Sequence, residues 1–177
     1  MSVTRVLVAN RGEIAVRVIR ACQSLGIETV AAVSDADRDS MAAKLANRAV
    51  CIGPARSTDS YLKVENIIAA AQGTGCDALH PGYGFLSERA ALAEACVENK
   101  IIFVGPSAQN ITMMGDKLEA RKIARNAGVP LVPGSDHAKN PHEAAQLAKD
   151  IGFPLLLKAS AGGGGRGIKL VDRKSVV

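Results

Sequence analysis

The chain has 177 residues, 47% hydrophobic and 22% charged, enough for one globular domain and part of a second. Aromatic residues make up 3%, with no Trp, which argues against a platform that stacks single-stranded bases. The net charge of +5 suits phosphate-bearing ligands, but no run of Lys and Arg forms a stripe, so most of these charges read as solvated surface.

The chain begins with alternation. RVLVA, residues 5–9, is a continuous apolar run of the kind expected for a buried parallel strand. IAVRVIRACQSLG repeats apolar residues at helical spacing and stops at Gly26, a C-cap signal. ETVAAVS reads as a second strand, DSMAAKLA as a short helix and AVCIG as a third strand. A helix over YLKVENIIAAAQGTG, a strand at DALH, a helix over ERAALAEACVENK and a strand at IIFVG complete the series. This predicts a doubly wound α/β sheet, whose ligands gather at the carboxyl ends of the strands.

The pattern then changes. QNITMMGDKLEARKIARNAG is mostly helical, with a break expected at Gly115, and PLVPGSDHAKN is loop-like. Asn140, Pro141 and Glu143 form an N-terminal helix signal. PLLLKA and IKLV flank the glycine run as two strands. One helix and one hairpin bury too little to make a core, so the second domain is expected to be incomplete. The four cysteines, Cys22, Cys51, Cys76 and Cys96, are widely spaced without a C-x-x-C pair, so neither a metal site nor a disulfide framework is expected. MSVTRVLVAN has too short an apolar run for a signal sequence, and no stretch is long enough to span a bilayer. The expectation is a reduced, soluble, cytoplasmic protein with neither nucleic acid nor membrane as partner.

The segment LLLKASAGGGGRGIKLV raises the chemical question. Gly162, Gly164 and Gly167 satisfy G-x-G-x-x-G, but a β-prone IKLV follows where a dinucleotide fold needs a helix. The P-loop pattern fails as well, because Ile168 stands where Lys is required. A strand–loop–strand flap remains. It is either a flexible hairpin or a cradle whose backbone N–H groups close over phosphates, with Lys158 as a nearby cation. NRGE, residues 10–13, reads as a turn relieved by Gly12, with Glu13 at a helix N-terminus. HPGYGFLSE, residues 80–88, is a shaped loop after the fourth strand, with Ser87 as a candidate cap. Its His, Tyr and Phe favour function about as much as mere turn geometry. Lys117, in GDK, reads by itself as a solvated lysine.

Taken in order, VANRGEIAVRVIRA, SDADRDS, YLKVENIIAAA, HPGYGFLSE, FVGPS, MGDKLEARKIA, GVPLVPGS and KASAGGGGRGIKLV resemble the biotin carboxylase family along essentially the whole chain. The resemblance implies a Rossmann-like domain over 1–113, an interdomain helix and linker over 114–134, and the start of a truncated ATP-grasp domain over 135–177. It implies a ligase that uses MgATP and bicarbonate to carboxylate biotin on a carrier protein, with a carboxyltransferase as further partner and pairing as a homodimer. Lys117, Lys158 and Gly162, Gly163, Gly164 and Gly165 would contact ATP, and Tyr83 and Gly84 would lie near the biotin ring. The family's catalytic residues and Mg²⁺ ligands are expected beyond Val177, so the chain alone is expected to be inactive. Arg48 follows Asn47 where the family usually has an Asp–Glu pair, an expected surface effect, and Ile168 stands in place of the usual Met. Two other readings stay open: a different ATP-grasp ligase, against which HPGYGFLSE argues, and a non-catalytic interaction module.

Overall fold

The computed structural model describes residues 2–132, 134–135, 138–158 and 167–173, with the backbone alone described at Lys117 and Leu118. The chain divides into two compact units, Met1–Thr112 and Met113–Val177.

The first unit is a parallel sheet wrapped by helices. In chain order it contains β1 (Arg5–Val8), α1 (Gly12–Ser24), β2 (Glu28–Val33), α2 (Met41–Leu45), β3 (Arg48–Cys51), α3 (Val64–Gly73), β4 (Ala78–His80), α4 (Ala90–Glu98) and β5 (Ile102–Phe103). The strand order is β3-β2-β1-β4-β5, and every neighbouring pair is parallel. Val6 pairs with Thr29 on one side and Ala78 on the other, so β1 is central.

The unbroken apolar run of β1 follows from that position. Successive side chains point to opposite faces, and both faces are covered. Leu7 and Ala9 join a core with Ile67, Ala71, Leu92 and Cys96 from α3 and α4. Val6 and Val8 join a second core with Ala15, Ile19 and Cys22 of α1 and Ala42 of α2. α1 ends as expected: Gly26 takes φ +70°, the Gly26 N–H donates to Gln23 O and the Ile27 N–H to Cys22 O. Arg48 opens the edge strand β3 with an exposed side chain, where a charge discourages further strand pairing. Its neighbour Asn47 accepts from the backbone N–H of Thr29 at 2.9 Å, tying the loop before β3 to β2.

The last helix reaching from this unit is α5 (Ala108–Gly115), and α6 (Lys117–Asn126) follows it. The break expected at Gly115 falls at Asp116, which caps α6 by accepting from the Glu119 N–H at 3.2 Å. The second unit continues with α7 (Pro141–Ile151), β6 (Leu155–Lys158) and β7 (Ile168–Val171). Asn140 caps α7 through the Glu143 N–H at 2.9 Å, with Pro141 in the first turn. β6 and β7 pair antiparallel, with Lys158 opposite Ile168 at the end of the ladder. Among the described residues no helix is long and apolar enough to cross a membrane.

Leu7 is fully buried between β2 and β4. Leu7→Ala is expected to lower the stability of the first unit by about 2–5 kcal/mol, read as a fall in the urea midpoint with the slope unchanged.

Candidate functional site

The strand order reverses between β1 and β4, because β1 runs on to β2 on one side and β4 to β5 on the other. Loops leaving two such strands part company, and the crevice between them is where open α/β sheets place ligands. Here the loops are NRGE after β1 and HPGYGF after β4.

One side chain joins them. Asn10 is buried, and its Nδ2 donates to Pro81 O at 2.8 Å and to Tyr83 O at 3.0 Å. Its Oδ1 accepts from the Arg11 N–H at 2.9 Å. Both amide protons are therefore spent on the opposite loop. The fit leaves no space above Asn10: a Cβ on Gly82 would stand 2.7 Å from Asn10 Nδ2 and 2.6 Å from Ile14 Cγ2. Gly82 also has φ +67°, so this position requires glycine on two counts. Reading NRGE as a turn and helix start captured Gly12, which has φ +64°, and Glu13, in the first turn of α1. It missed Asn10, whose only local signal was an amide at the end of an apolar strand.

The β4 loop is shaped by left-handed backbone at Gly84 (φ +70°) and at Phe85 (φ +46°). Phe85 is not a glycine, so its conformation costs on the order of 1 kcal/mol and must be held from outside. Its ring stacks on Tyr61 at 5.1 Å, and the Arg11 guanidinium lies 5.9 Å from the ring centroid. Tyr61 is itself anchored. Its Oη donates to Asp37 Oδ2 at 2.7 Å and accepts from the Ser34 N–H at 3.1 Å. Burial foremost pushes the Tyr61 phenol up to about 12. Ser87 does not cap α4. Its hydroxyl donates to Gly84 O at 2.8 Å, closing the loop on itself, while Arg89 stands at the cap position without a side-chain bond.

Above this floor Tyr83 is 61% exposed, and its Oη donates to Glu13 Oε2 at 3.0 Å. Glu13 raises the Tyr83 phenol above its ordinary value, while Arg17 pulls the other way. Asn10, Arg11, Gly12, Ile14, Tyr83, Gly84 and Phe85 line an open cavity of about 340 Å³. A second, more apolar cavity of about 440 Å³ lies beyond Tyr83, walled by Val6, Ile14, Val18, Leu25, Ile27 and Val104 with His80 at its edge. His80 is half-buried, and its Nδ1 accepts from the Gly82 N–H at 3.0 Å. An acceptor nitrogen must be unprotonated, and burial lowers the His80 pKa in the same direction.

The acidic segment after β2 is committed elsewhere. In dinucleotide folds an acid near this strand end takes ribose hydroxyls. Here Asp37 accepts from Tyr61 and from Ser34 Oγ, and Asp35 is held by Arg38 at 2.7 Å.

Of the residues singled out in the sequence, the structure brings Tyr83 and Gly84 together at the crevice, with Asn10 and Glu13. Lys158 and Lys117 belong to the second unit. Lys158 is exposed at the end of β6, and Lys117 begins α6. Gly162, Gly163, Gly164 and Gly165 lie outside the described residues. Among the described residues no three His, Cys, Asp or Glu side chains gather to hold a metal ion.

Residues 2–111 match the family of the biotin carboxylase N-terminal domain, and residues 116–177 match that of the carbamoyl-phosphate synthase L chain ATP-binding domain. Biotin carboxylase 1 of Bacillus subtilis is 56% identical over 169 residues, covering 95% of this chain and 38% of its own length. The chloroplastic biotin carboxylase of Arabidopsis thaliana is 54% identical over 167 residues, covering 94% of this chain and 31% of its own. A solved biotin carboxylase from Campylobacter jejuni, in complex with a β-γ-ATP ligand, aligns with a TM-score of 0.92 at 45% identity, covering 98% of this chain and 39% of that one. The biotin carboxylase domain dimer of the Hydrogenobacter thermophilus 2-oxoglutarate carboxylase, solved with MgADP, ADP and bicarbonate, aligns at 0.90 and 48% identity, covering 99% and 39%. The chain thus spans about 38% of the length of such relatives.

Asn10→Ala leaves two loop carbonyls without their donor, an expected loss of about 1–3 kcal/mol. Asn10→Asp, which turns a carboxylate onto both carbonyls, should cost more than Asn10→Ala by urea denaturation. For His80, a folded pKa below the ordinary 6.5 means that the unfolded chain takes up its proton first. The stabilisation is present above pH 6.5 and is lost as pH falls through the lower folded value. His80→Gln should flatten the part of the stability–pH slope that lies below neutrality.

Proposed function

We propose a function from one premise: the chain belongs to the biotin carboxylase family. It forms the N-terminal segment of an ATP-dependent ligase that carboxylates biotin on a carrier protein, using bicarbonate. A carboxyltransferase receives the product, and the working enzyme pairs as a homodimer. Cytoplasmic location is part of this proposal; the Arabidopsis relative is chloroplastic by name. Residues 1–113 act as the Rossmann-like domain, 114–134 as the interdomain helix and linker, and 135–177 as the part of the ATP-grasp domain carried here.

The observation that carries the reading is that single relatives named as biotin carboxylases run through both units, as Biotin carboxylase 1 does over 95% of the chain. The family matched over 116–177 is named for another ligase, yet relatives such as the Bacillus subtilis and Nostoc biotin carboxylases join it to the first unit. In this reading Lys117 and Lys158 supply cationic charge to the nucleotide, which counters the charge on phosphate oxygens. Gly162, Gly163, Gly164 and Gly165 supply backbone N–H groups without side chains to keep the phosphates away. Tyr83 and Gly84 stand on the biotin side, where an exposed ring on a held loop can meet a flat ureido group.

The test is a hybrid in which this chain replaces the matching segment of Bacillus subtilis biotin carboxylase 1. It is expected to release ADP in a biotin- and bicarbonate-dependent manner. Lys158→Ala in the hybrid should lower that rate by roughly 10²-fold, the scale of one lost charge-stabilising contact. A hybrid that folds, judged by circular dichroism and a cooperative melt, but shows no biotin-dependent ADP release would overturn the proposal.

A further inference from the structure

We propose that Glu13 is a positioning residue for Tyr83, its carboxylate holding the phenol hydroxyl while Asn10 holds the backbone carbonyl of the same residue. The first turn of α1 would then set where the Tyr83 ring stands over the crevice. This rests on the reading of Tyr83 as a biotin-side residue.

Tyr83 is flanked by Gly82 at φ +67° and Gly84 at φ +70°, and the residue is mostly exposed. Packing therefore does not select its rotamer, and the neighbouring backbone belongs to residues of the widest conformational range. Two contacts remain. Asn10 Nδ2 reaches Tyr83 O at 3.0 Å, and Glu13 Oε2 accepts from Tyr83 Oη at 3.0 Å. Asn10 ends the loop that follows β1 and Glu13 lies in the first turn of α1, so the β1–α1 junction grips Tyr83 at both ends. A tyrosine held at its backbone and its hydroxyl loses its freedom before a ligand arrives, which reduces the ordering cost of binding.

The plain alternative is that Glu13 only complements the helix N-terminus, where an acid is favourable. The two roles separate by side-chain length. Glu13→Asp keeps the charge in the first turn but is shorter by one methylene. A helix-end role tolerates it. A positioning role does not, and Glu13→Asp should behave like Glu13→Ala.

Two measurements test this. The chain contains only two tyrosines, Tyr61 and Tyr83, so ring-carbon labelling gives two resonances, which Tyr61→Phe assigns. In the 177-residue chain Tyr83 is expected to titrate above its ordinary 10.0, with both Glu13→Ala and Glu13→Asp bringing it back toward that value. Identical titration in the wild-type and Glu13→Ala chains would overturn the proposal. In the Bacillus subtilis hybrid, Tyr83→Phe, Glu13→Ala and Glu13→Asp should each raise KM for biotin by roughly 3- to 10-fold, the scale of one hydrogen bond, while KM for ATP stays put. The double variant Glu13→Ala/Tyr83→Phe should be no worse than Tyr83→Phe, because Glu13 acts through that hydroxyl. A raised KM in Tyr83→Phe with none in Glu13→Ala sinks the positioning role. No change in Tyr83→Phe itself sinks instead the biotin-side reading of the loop. If the wild-type hybrid is inactive, the tyrosine titration decides.

Discussion

Two parallel strands that end side by side at a switch point leave their following loops with carbonyl groups and no regular partner. Water can satisfy them only if the crevice stays open to solvent at its floor. In this protein Asn10 does so instead, sending both amide protons across to Pro81 O and Tyr83 O. The consequences spread outward from that pair of bonds. Gly82 has to be glycine because Asn10 fills the space beneath it. With Gly82 held, Tyr83 emerges at a defined point, and the chain turns through Gly84 into the left-handed Phe85. Phe85 is kept there by Tyr61, which Ser34 and Asp37 hold in turn. The loops after β1, β2 and β4 are thus one connected structure, although only one of them carries an exposed aromatic toward the crevice.

This arrangement divides the polar residues into two kinds. Asp35, Asp37 and Arg38 form a charged cluster that would attract attention in any motif search, yet their groups are turned on one another and on Tyr61. Of the three, Asp37 holds Tyr61 and with it the floor. Glu13 and Tyr83 make an exposed bond between two long side chains, which contributes little to stability in water and so is free to serve placement. The same contrast separates the histidine from the tyrosine of HPGYGF. His80 is half-buried and accepts a backbone proton, a task that only its neutral form performs.

Much was legible in the sequence because it depends on local, periodic signals. A buried central strand must be apolar on both faces, so RVLV declared itself, as did Gly26 at the end of α1 and Asn140 at the start of α7. The antiparallel hairpin followed from two β-prone runs flanking glycines. The errors lay where a residue has two available partners at similar cost. Ser87 could cap a helix or bond back to its own loop, and the choice depends on how the loop is folded. The break expected at Gly115 lies one residue on, at Asp116, whose carboxylate accepts from the Glu119 N–H in the first turn of α6, a bond for which glycine has no side chain.

The sequence by itself determined the order of elements, the parallel sheet and the family, since periodicity, caps and eight ordered motifs are properties of the chain read along its length. Only the tertiary structure decided which groups Asn10 and Glu13 bond. Their partners, Pro81 and Tyr83, lie about seventy residues away in the chain and are brought near by the pairing of β1 with β4. A hydrogen bond has directionality and a reach of about 3 Å, and no pattern of neighbours along a chain reports which distant carbonyl will fall within it.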